Sequence, residues 1–263
     1  LEVTVSDFRF EEDEGVAVIT LDRAPVHNAV NGAVMDGIAD AVARLQDRED
    51  IYAVILTGAG ETSFCSGGDL KWLQRYDTGE KGQAMSRRMQ ANLDALNDLP
   101  MPVIAVLNGY ALGGGAELAL SCDLRVMESH AFLCFKQAQM GLITGWNGGG
   151  RLLDLVGYAR AMEVLVTCPK IYGPQALEWG LANAVVPTGQ GMTAARKMVE
   201  RIRRGSPRSV RAIKQLLQAG RGLDPQAKGA IEADLFRTVW GSSDHQEALA
   251  AFFEKRRPIF GRE

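Results

Sequence analysis

Short runs of almost uninterrupted apolar residues, AVIL at 53–56, VIAVL at 103–107 and LRVM at 124–127, alternate with stretches of helical spacing. A strand that is apolar all along must be covered on both faces, which parallel sheets achieve by returning the chain through helices packed on the sheet. Val34, Ile38, Ala41, Val42 and Leu45 recur at helical spacing and predict a helix over 31–48; 85–99 reads as an amphipathic helix stopped by Pro100. Segments 8–12 and 16–21 read as strands joined by an acidic turn, and 132–135 as a further strand. The fold class expected is α/β with mainly parallel pairing.

After about residue 190 the strand pattern stops. Segments 192–204, 208–219, 225–240 and 244–255 all read as helices separated by Gly, Ser and Pro. A strand-rich core over 1–190 followed by a helical region over 191–263 is therefore expected. The 263 residues, 46% hydrophobic and 23% charged, suffice for a sizeable core. Arg201, Arg203 and Arg204 read as a solvated helix face, and a net charge of −3 gives no bulk reason to expect nucleic acid. No apolar run reaches the ~18 residues of a membrane span. The acidic start, LEVTVSDFRFEEDEG, has no signal-peptide pattern, so a cytoplasmic location is expected. Cys65, Cys122, Cys134 and Cys168 form no CxxC, three of them sit in apolar strings, and buried free thiols are expected.

Two glycine loops carry the chemistry. FCSGGDL (64–70) and GYALGGGAEL (109–118) each follow a predicted strand. Glycine lets the backbone approach a ligand closely, and a helix starting there leaves N–H groups unpaired. Two such loops side by side would aim two N–H groups at one oxygen, an oxyanion hole suited to a thioester carbonyl becoming an enolate. Neither loop fits the phosphate patterns GxxxxGK[ST] or GxGxxG. Taken singly, each loop also reads as a plain turn, and Glu117 as a buried, paired structural acid. A carboxylate between Ala116 and Leu118 should need a partner or a raised pKa. Ser66 and Ser121 lack a His–Asp partner in the pattern, so a nucleophilic hydrolase is not expected. His130 and His245 read as surface or turn residues.

These motifs resemble those of the enoyl-CoA hydratase/isomerase family, the crotonase superfamily. RAPVHNAV (23–30), FCSGGDL, NGYALGGGAELALSCDLRVM, FKQAQMGLITGWNGGGRLL (135–153) and the ending FFEKRRPIF follow the family's order over nearly the whole chain. The resemblance implies a spiral of ββα turns with a C-terminal helical trimerisation region, and a homotrimer or a hexamer of paired trimers. It implies an acyl-CoA substrate, with coenzyme A as part of that substrate and no further cofactor or metal. Gly68 and Gly114 would supply the oxyanion N–H groups. Val26, His27, Ala29, Ser66 and Leu70 would line the coenzyme A channel, and Asp69 would fix its loop. Tyr110 and Trp146 would stand beside the acyl group; core packing is an equal reading for Trp146. Lys255 would meet a coenzyme A phosphate across a subunit boundary.

Glu117 falls on the first of the two glutamates of typical hydratases. The second should lie four residues before Gly141, where this chain has Gln137; Gln139 nearby is no acid either. Adding water to a 2-enoyl thioester needs one group to activate water and one to handle the α-proton, and losing one typically forfeits ~10²–10⁴-fold. Decarboxylation of a malonyl-type thioester needs the oxyanion hole and one acid. Within the family the resemblance is greatest to ethylmalonyl-CoA decarboxylase-like members, which share FCSG-x-DL, GGGAE, MG-[IL]-x-x-x-W and TVWG (238–241); a histidine stands there where Gln137 stands here. The expected function is an acyl-CoA lyase decarboxylating a short, branched carboxyacyl-CoA. The alternatives are an enoyl-CoA hydratase, with Gln137 orienting water, and a noncatalytic acyl-CoA-binding or RNA-associated family member.

Overall fold

The computed structural model describes residues 3–5 and 7–261. Three strands, β1 (Val3–Val5), β2 (Phe8–Asp13) and β3 (Val16–Leu21), form an antiparallel meander whose second turn uses Glu14 and Gly15, both at positive φ. α1 (Gly32–Leu45) then leads to β4 (Ala53–Gly58), parallel to β3. Asn31 starts α1 by accepting the Val34 N–H at 3.0 Å, and the predicted stripe of Val34, Ile38, Ala41, Val42 and Leu45 is buried.

From β4 onward one unit repeats: a long strand, a very short strand, then helix. β4 is followed by β5 (Ser63–Cys65), α2 (Leu70–Leu73) and α3 (Gly79–Asn97). β6 (Val103–Leu107) is followed by β7 (Tyr110–Leu112) and α4 (Gly114–Ser121), and β8 (Leu124–Glu128) by β9 (Phe132–Cys134) and α5 (Gly148–Thr167). β10 (Ile171–Tyr172), α6 (Gly173–Glu178) and β11 (Ala184–Val186) close the spiral. The long strands, with the short β1 and β11 at the edges, form a seven-stranded sheet in the order β1-β2-β3-β4-β6-β8-β11, parallel from β3 onward; β10, β9, β7 and β5 form a second sheet in that order. The ββα spiral is thus the observed architecture.

Both faces of the main sheet are buried, with the two-residue alternation of a pleat. Ile19, Leu21, Val54, Leu56, Ala105 and Leu107 join the core under α1, α3 and α4. Val18, Ile55, Ile104 and Val106 face the other way, against Ala195 and Val199 of α7 (Gly191–Ile202). α8 (Pro207–Ala219) is clipped to the core by buried Lys214, which donates to Asp123 (2.7 Å) and to Met101 O (2.9 Å). α9 (Pro225–Trp240) buries no residue, and α10 (Ser243–Phe253) ends the helical region.

The predicted strands and tail helices appear with ends shifted by a few residues at most. α3 begins six residues earlier than expected, at Gly79 behind a Thr78 cap, because its first turns are solvated and carry no apolar period. β5, β7 and β10 were not expected; two or three residues are too short to show an alternation. α5 was missed because it opens on three glycines and breaks at Gly157 (φ 75°). All four cysteines are free and buried. Among the described residues no helix is long and apolar enough to cross a membrane.

Candidate active site

The second sheet positions the site. β5, β7 and β9 lie side by side, with Cys65 opposite Ala111 and Leu112 opposite Cys134. The segments leaving these three strands therefore arrive together, bringing Gly68, Gly114 and Gln137 to one edge although they are far apart in sequence. The Gly113 N–H donates to Cys134 O at 2.8 Å and locks the second segment to the third.

Among the described residues, the N–H groups of Gly68 and Gly114 meet no backbone acceptor. Val30 pairs with Gly68 as a parallel bridge: its N–H donates to Gly67 O (2.7 Å) and its carbonyl accepts the Asp69 N–H (2.8 Å). That pairing uses the groups either side of the Gly68 N–H and leaves the latter turned away. Gly114 is the first residue of α4, where an N–H has no intrahelical acceptor. Gly67 sits at φ 94°, and a Cβ there would lie 3.0 Å from Leu112 O and 3.1 Å from Gly114 N, so the close approach of the two loops requires glycine. A Cβ on Gly114 would collide with the Trp146 ring, which is 5% exposed.

Glu117 is buried, 2% exposed, and accepts four hydrogen bonds. Its Oε1 accepts from Gln137 Nε2 (2.8 Å) and the Gly145 N–H (3.3 Å); its Oε2 accepts from the N–H groups of Trp146 (2.7 Å) and Gly148 (2.9 Å). The last two donors sit at the start of α5, so the carboxylate lies where a helix N-terminus favours an anion. Burial pushes its pKa up against the pull of these four donors, with a net rise. The expected partner is thus Gln137 together with a backbone cradle. Ser86 Oγ and Gln90 Nε2 donate to Gly145 O, and Arg151 donates to Trp146 O (3.0 Å) and pairs with Asp94 (2.5 Å), so the cradle is held from behind.

Around this centre Val26 (44% exposed), His27, Ser66 and Leu70 (65% exposed) form an accessible rim, with the Ser66 N–H donating to His27 O at 3.0 Å. Ala29 is buried; its carbonyl accepts from Arg23 (2.6 Å). Tyr110 stands between His27 and Phe132, with ring centroids 5.8 and 5.7 Å away, and burial pushes its hydroxyl pKa up. Asp69 caps α2 through the N–H groups of Lys71 and Trp72 and pairs with Arg23 (3.0 Å). Burial opposes its ionisation, but the Trp72 N–H and the Arg23 guanidinium outweigh it and hold the carboxyl low. Lys255 is exposed beyond α10, and its N–H bonds Phe252 O within the tail.

Sequence reasoning missed Asn28, Arg23 and the α5 cradle. Asn28 is fully buried and donates to Ala59 O (3.0 Å) and Ser63 O (2.8 Å), tying the 23–30 segment to the turn after β4 and to the start of β5. GWNGGG carried a signal for the cradle, since consecutive glycines ahead of a helix leave N–H groups free to face an anion. His245 is half-buried rather than a surface residue, its ring tilted against Trp240 with centroids 4.5 Å apart.

The profile of the family Enoyl-CoA hydratase/isomerase matches residues 11–263. The chain is 33% identical over 249 residues to the short-chain-enoyl-CoA hydratase of Clostridium acetobutylicum, covering 94% of each. It is 34% identical over 242 residues to the ethylmalonyl-CoA decarboxylase of Gallus gallus, covering 91% of this chain and 81% of that one. The crystal structure of enoyl-CoA hydratase from Bacillus anthracis superposes with a TM-score of 0.94 at 32% identity, over 98% of this chain and all (100%) of the other. Matched by the family profile over residues 11–263 and more than 30% identical to these relatives over nearly its whole length, the chain belongs to the enoyl-CoA hydratase/isomerase family.

Proposed function

We propose that this protein is an acyl-CoA lyase that decarboxylates a short, branched, malonyl-type acyl-CoA through a thioester enolate. The Gly68 and Gly114 N–H groups receive the thioester oxygen. The bond from the α-carbon to the carboxylate breaks, its electron pair forms the enolate, and CO₂ leaves. The N–H groups act on charge that develops as the bond breaks, which is where such donors contribute most. The exposed rim of Val26, His27, Ser66 and Leu70 takes coenzyme A.

The observation that carries this reading is the state of Glu117. It is the sole ionisable side chain in its own hydrogen-bond shell, and its neighbour Gln137 is a carboxamide. Hydration asks two groups to gain and lose protons in each cycle. A carboxylate held by four donors serves better as a fixed anion. Placed beside the substrate's own carboxylate, it raises the energy of that charge and favours its departure as neutral CO₂. Relatives named for either reaction resemble the chain about equally, so identity does not decide between them. The competing hydratase reading draws on one feature, the Gln137 carboxamide, which stands at Glu117 Oε1 where it would replace a second acid.

Homo-oligomerisation, as trimer or hexamer, belongs to the same proposal. Phe236, Trp240, Phe252 and Phe253 are each 57–77% exposed on α9 and α10, more apolar surface than a monomer's helices normally leave in water. Incubation with ethylmalonyl-CoA, methylmalonyl-CoA and crotonyl-CoA, with products followed by mass spectrometry, tests the assignment. Loss of the mass of CO₂ from the malonyl-type thioesters supports it. Gain of water by crotonyl-CoA alone supports the hydratase, and turnover of none supports a noncatalytic binder.

A further inference from the structure

The cradle of Glu117 has a second side, and α3 occupies it. Gly145 O and the Trp146 N–H belong to one planar peptide and point to its opposite edges. On one edge the Trp146 N–H donates to Glu117 Oε2 at 2.7 Å, the shortest of the four bonds that this carboxylate accepts. On the other edge Gly145 O accepts from both Ser86 Oγ and Gln90 Nε2, the latter at 2.9 Å. Gln90 Nε2 also lies 3.4 Å from Ser86 Oγ, so the two side chains act as a pair. The next peptide is braced in the same way: Trp146 O accepts from Arg151, which Asp94 holds.

Ser86, Gln90 and Asp94 stand four residues apart on α3 and share one face of the helix. Beside them runs the buried stripe of Met89, Leu93 and Leu96, which already fixes α3 to the core. Packing alone does not ask for two half-buried polar side chains on one carbonyl. A carbonyl that accepts two donors polarises its own peptide, and the N–H of that peptide becomes the stronger donor. Here that N–H holds an anion that burial disfavours. Other ionisable groups near α4 give little such support. Tyr110 on β7 and Cys65 on β5 are neutral near pH 7, since burial raises the pKa of each. Lys136, the charged side chains of α3 (Glu80, Lys81, Arg87, Arg88 and Asp94) and Asp154, Arg160 and Glu163 of α5 are exposed. Arg151 is buried behind the cradle and is paired with Asp94.

We infer that Ser86 and Gln90 are positioning residues that work through the 145–146 peptide to keep Glu117 an oriented anion; this rests on the reading of Glu117 as a fixed anion above. Neither side chain touches the substrate. Their hydrogen bonds end on Gly145 O, and the effect arrives at Glu117 Oε2 through the Trp146 N–H.

The test titrates Glu117 in the full-length protein by pH-difference infrared spectroscopy, its carboxyl band being the one lost in Glu117→Gln. Gln90→Met removes one donor and Ser86→Ala the other. Each should move the Glu117 midpoint up by about half a pH unit, the size of a ~30% weakening of one charge-assisted hydrogen bond, and the two together by about one unit. The acid limb of kcat/KM for CO₂ release should move with it. Ser86→Thr, which keeps the hydroxyl, should restore the wild-type midpoint. Asn92→Leu is the control: Asn92 is also a half-buried carboxamide of α3, but it donates to Met35 O at 2.7 Å, away from the cradle. That change should lower Tm and leave the midpoint in place. Should Gln90→Met not fold, Ser86→Ala decides alone. A midpoint unmoved by Ser86→Ala and Gln90→Met, or moved as far by Asn92→Leu, would overturn the role of the two residues. A midpoint that shifts as expected in a protein that releases no CO₂ would overturn the decarboxylase reading and leave the role of Ser86 and Gln90 standing.

Discussion

At the residue scale, Glu117 is the centre of the account. GGGAE announced a carboxylate that must be paired or perturbed, because an acid between Ala and Leu has no solvent to rely on. Its four donors were not legible, since three are backbone N–H groups from a loop and helix start twenty-eight to thirty-one residues on. Burial raises the Glu117 pKa, so a function requiring its anion fails on acidification earlier than an ordinary carboxylate would impose. The acid limb of kcat/KM should fall above the usual glutamate value of about 4.3 and disappear in Glu117→Gln. Asp69 has the opposite sign. Its folded pKa lies below its unfolded one, so it adds stability that is complete above the unfolded value and is lost as pH falls through the folded one. Asp69→Asn should therefore lower Tm at pH 7, with the difference closing below about pH 4; thermal unfolding at both pH values checks it.

At the scale of elements, the site is a product of register. β5 and β7, three residues each, carry no readable pattern alone, yet their pairing with each other and with β9 aligns Gly68, Gly114 and Gln137. The long strands, buried on both faces, were legible because their composition is dictated by coverage; the short ones owe their existence to tertiary pairing. Gly67 is where this register is least tolerant. Gly67→Ala would force a Cβ against Leu112 O and Gly114 N, at a φ that L-residues rarely adopt. It should lower kcat/KM by about 10²–10³-fold, the cost of losing one oxyanion donor, with coenzyme A affinity retained in a binding titration. Asn28→Ala removes three side-chain hydrogen bonds, one accepted from the Arg23 N–H and two donated to Ala59 O and Ser63 O. It should cost about 1–3 kcal/mol of stability, measured by urea unfolding.

At the scale of the whole molecule, the helical region was the most legible part, since three of its helices, α8, α9 and α10, carry their own caps. Ser206 and Asp224 cap α8 and α9 with Pro at the first turn, and Ser242 caps α10. What these helices cover was not legible, because an exposed Phe or Trp reads the same in sequence whether a second chain meets it or not. α9, with no buried residue, makes sense as a surface for assembly. Trp240→Glu should shift the sedimentation coefficient from that of an oligomer to that of a 28.5 kDa monomer while leaving the far-ultraviolet circular dichroism unchanged.

The central claim is that a single cradled acid and two glycine amides serve enolate formation by loss of CO₂. Its most direct test is the ratio of kcat/KM for CO₂ release from ethylmalonyl-CoA to kcat/KM for hydration of crotonyl-CoA, measured on one preparation. A carboxamide in place of the second acid predicts a ratio above one by about 10²-fold or more. Rapid hydration of crotonyl-CoA with no CO₂ released from ethylmalonyl-CoA would contradict it.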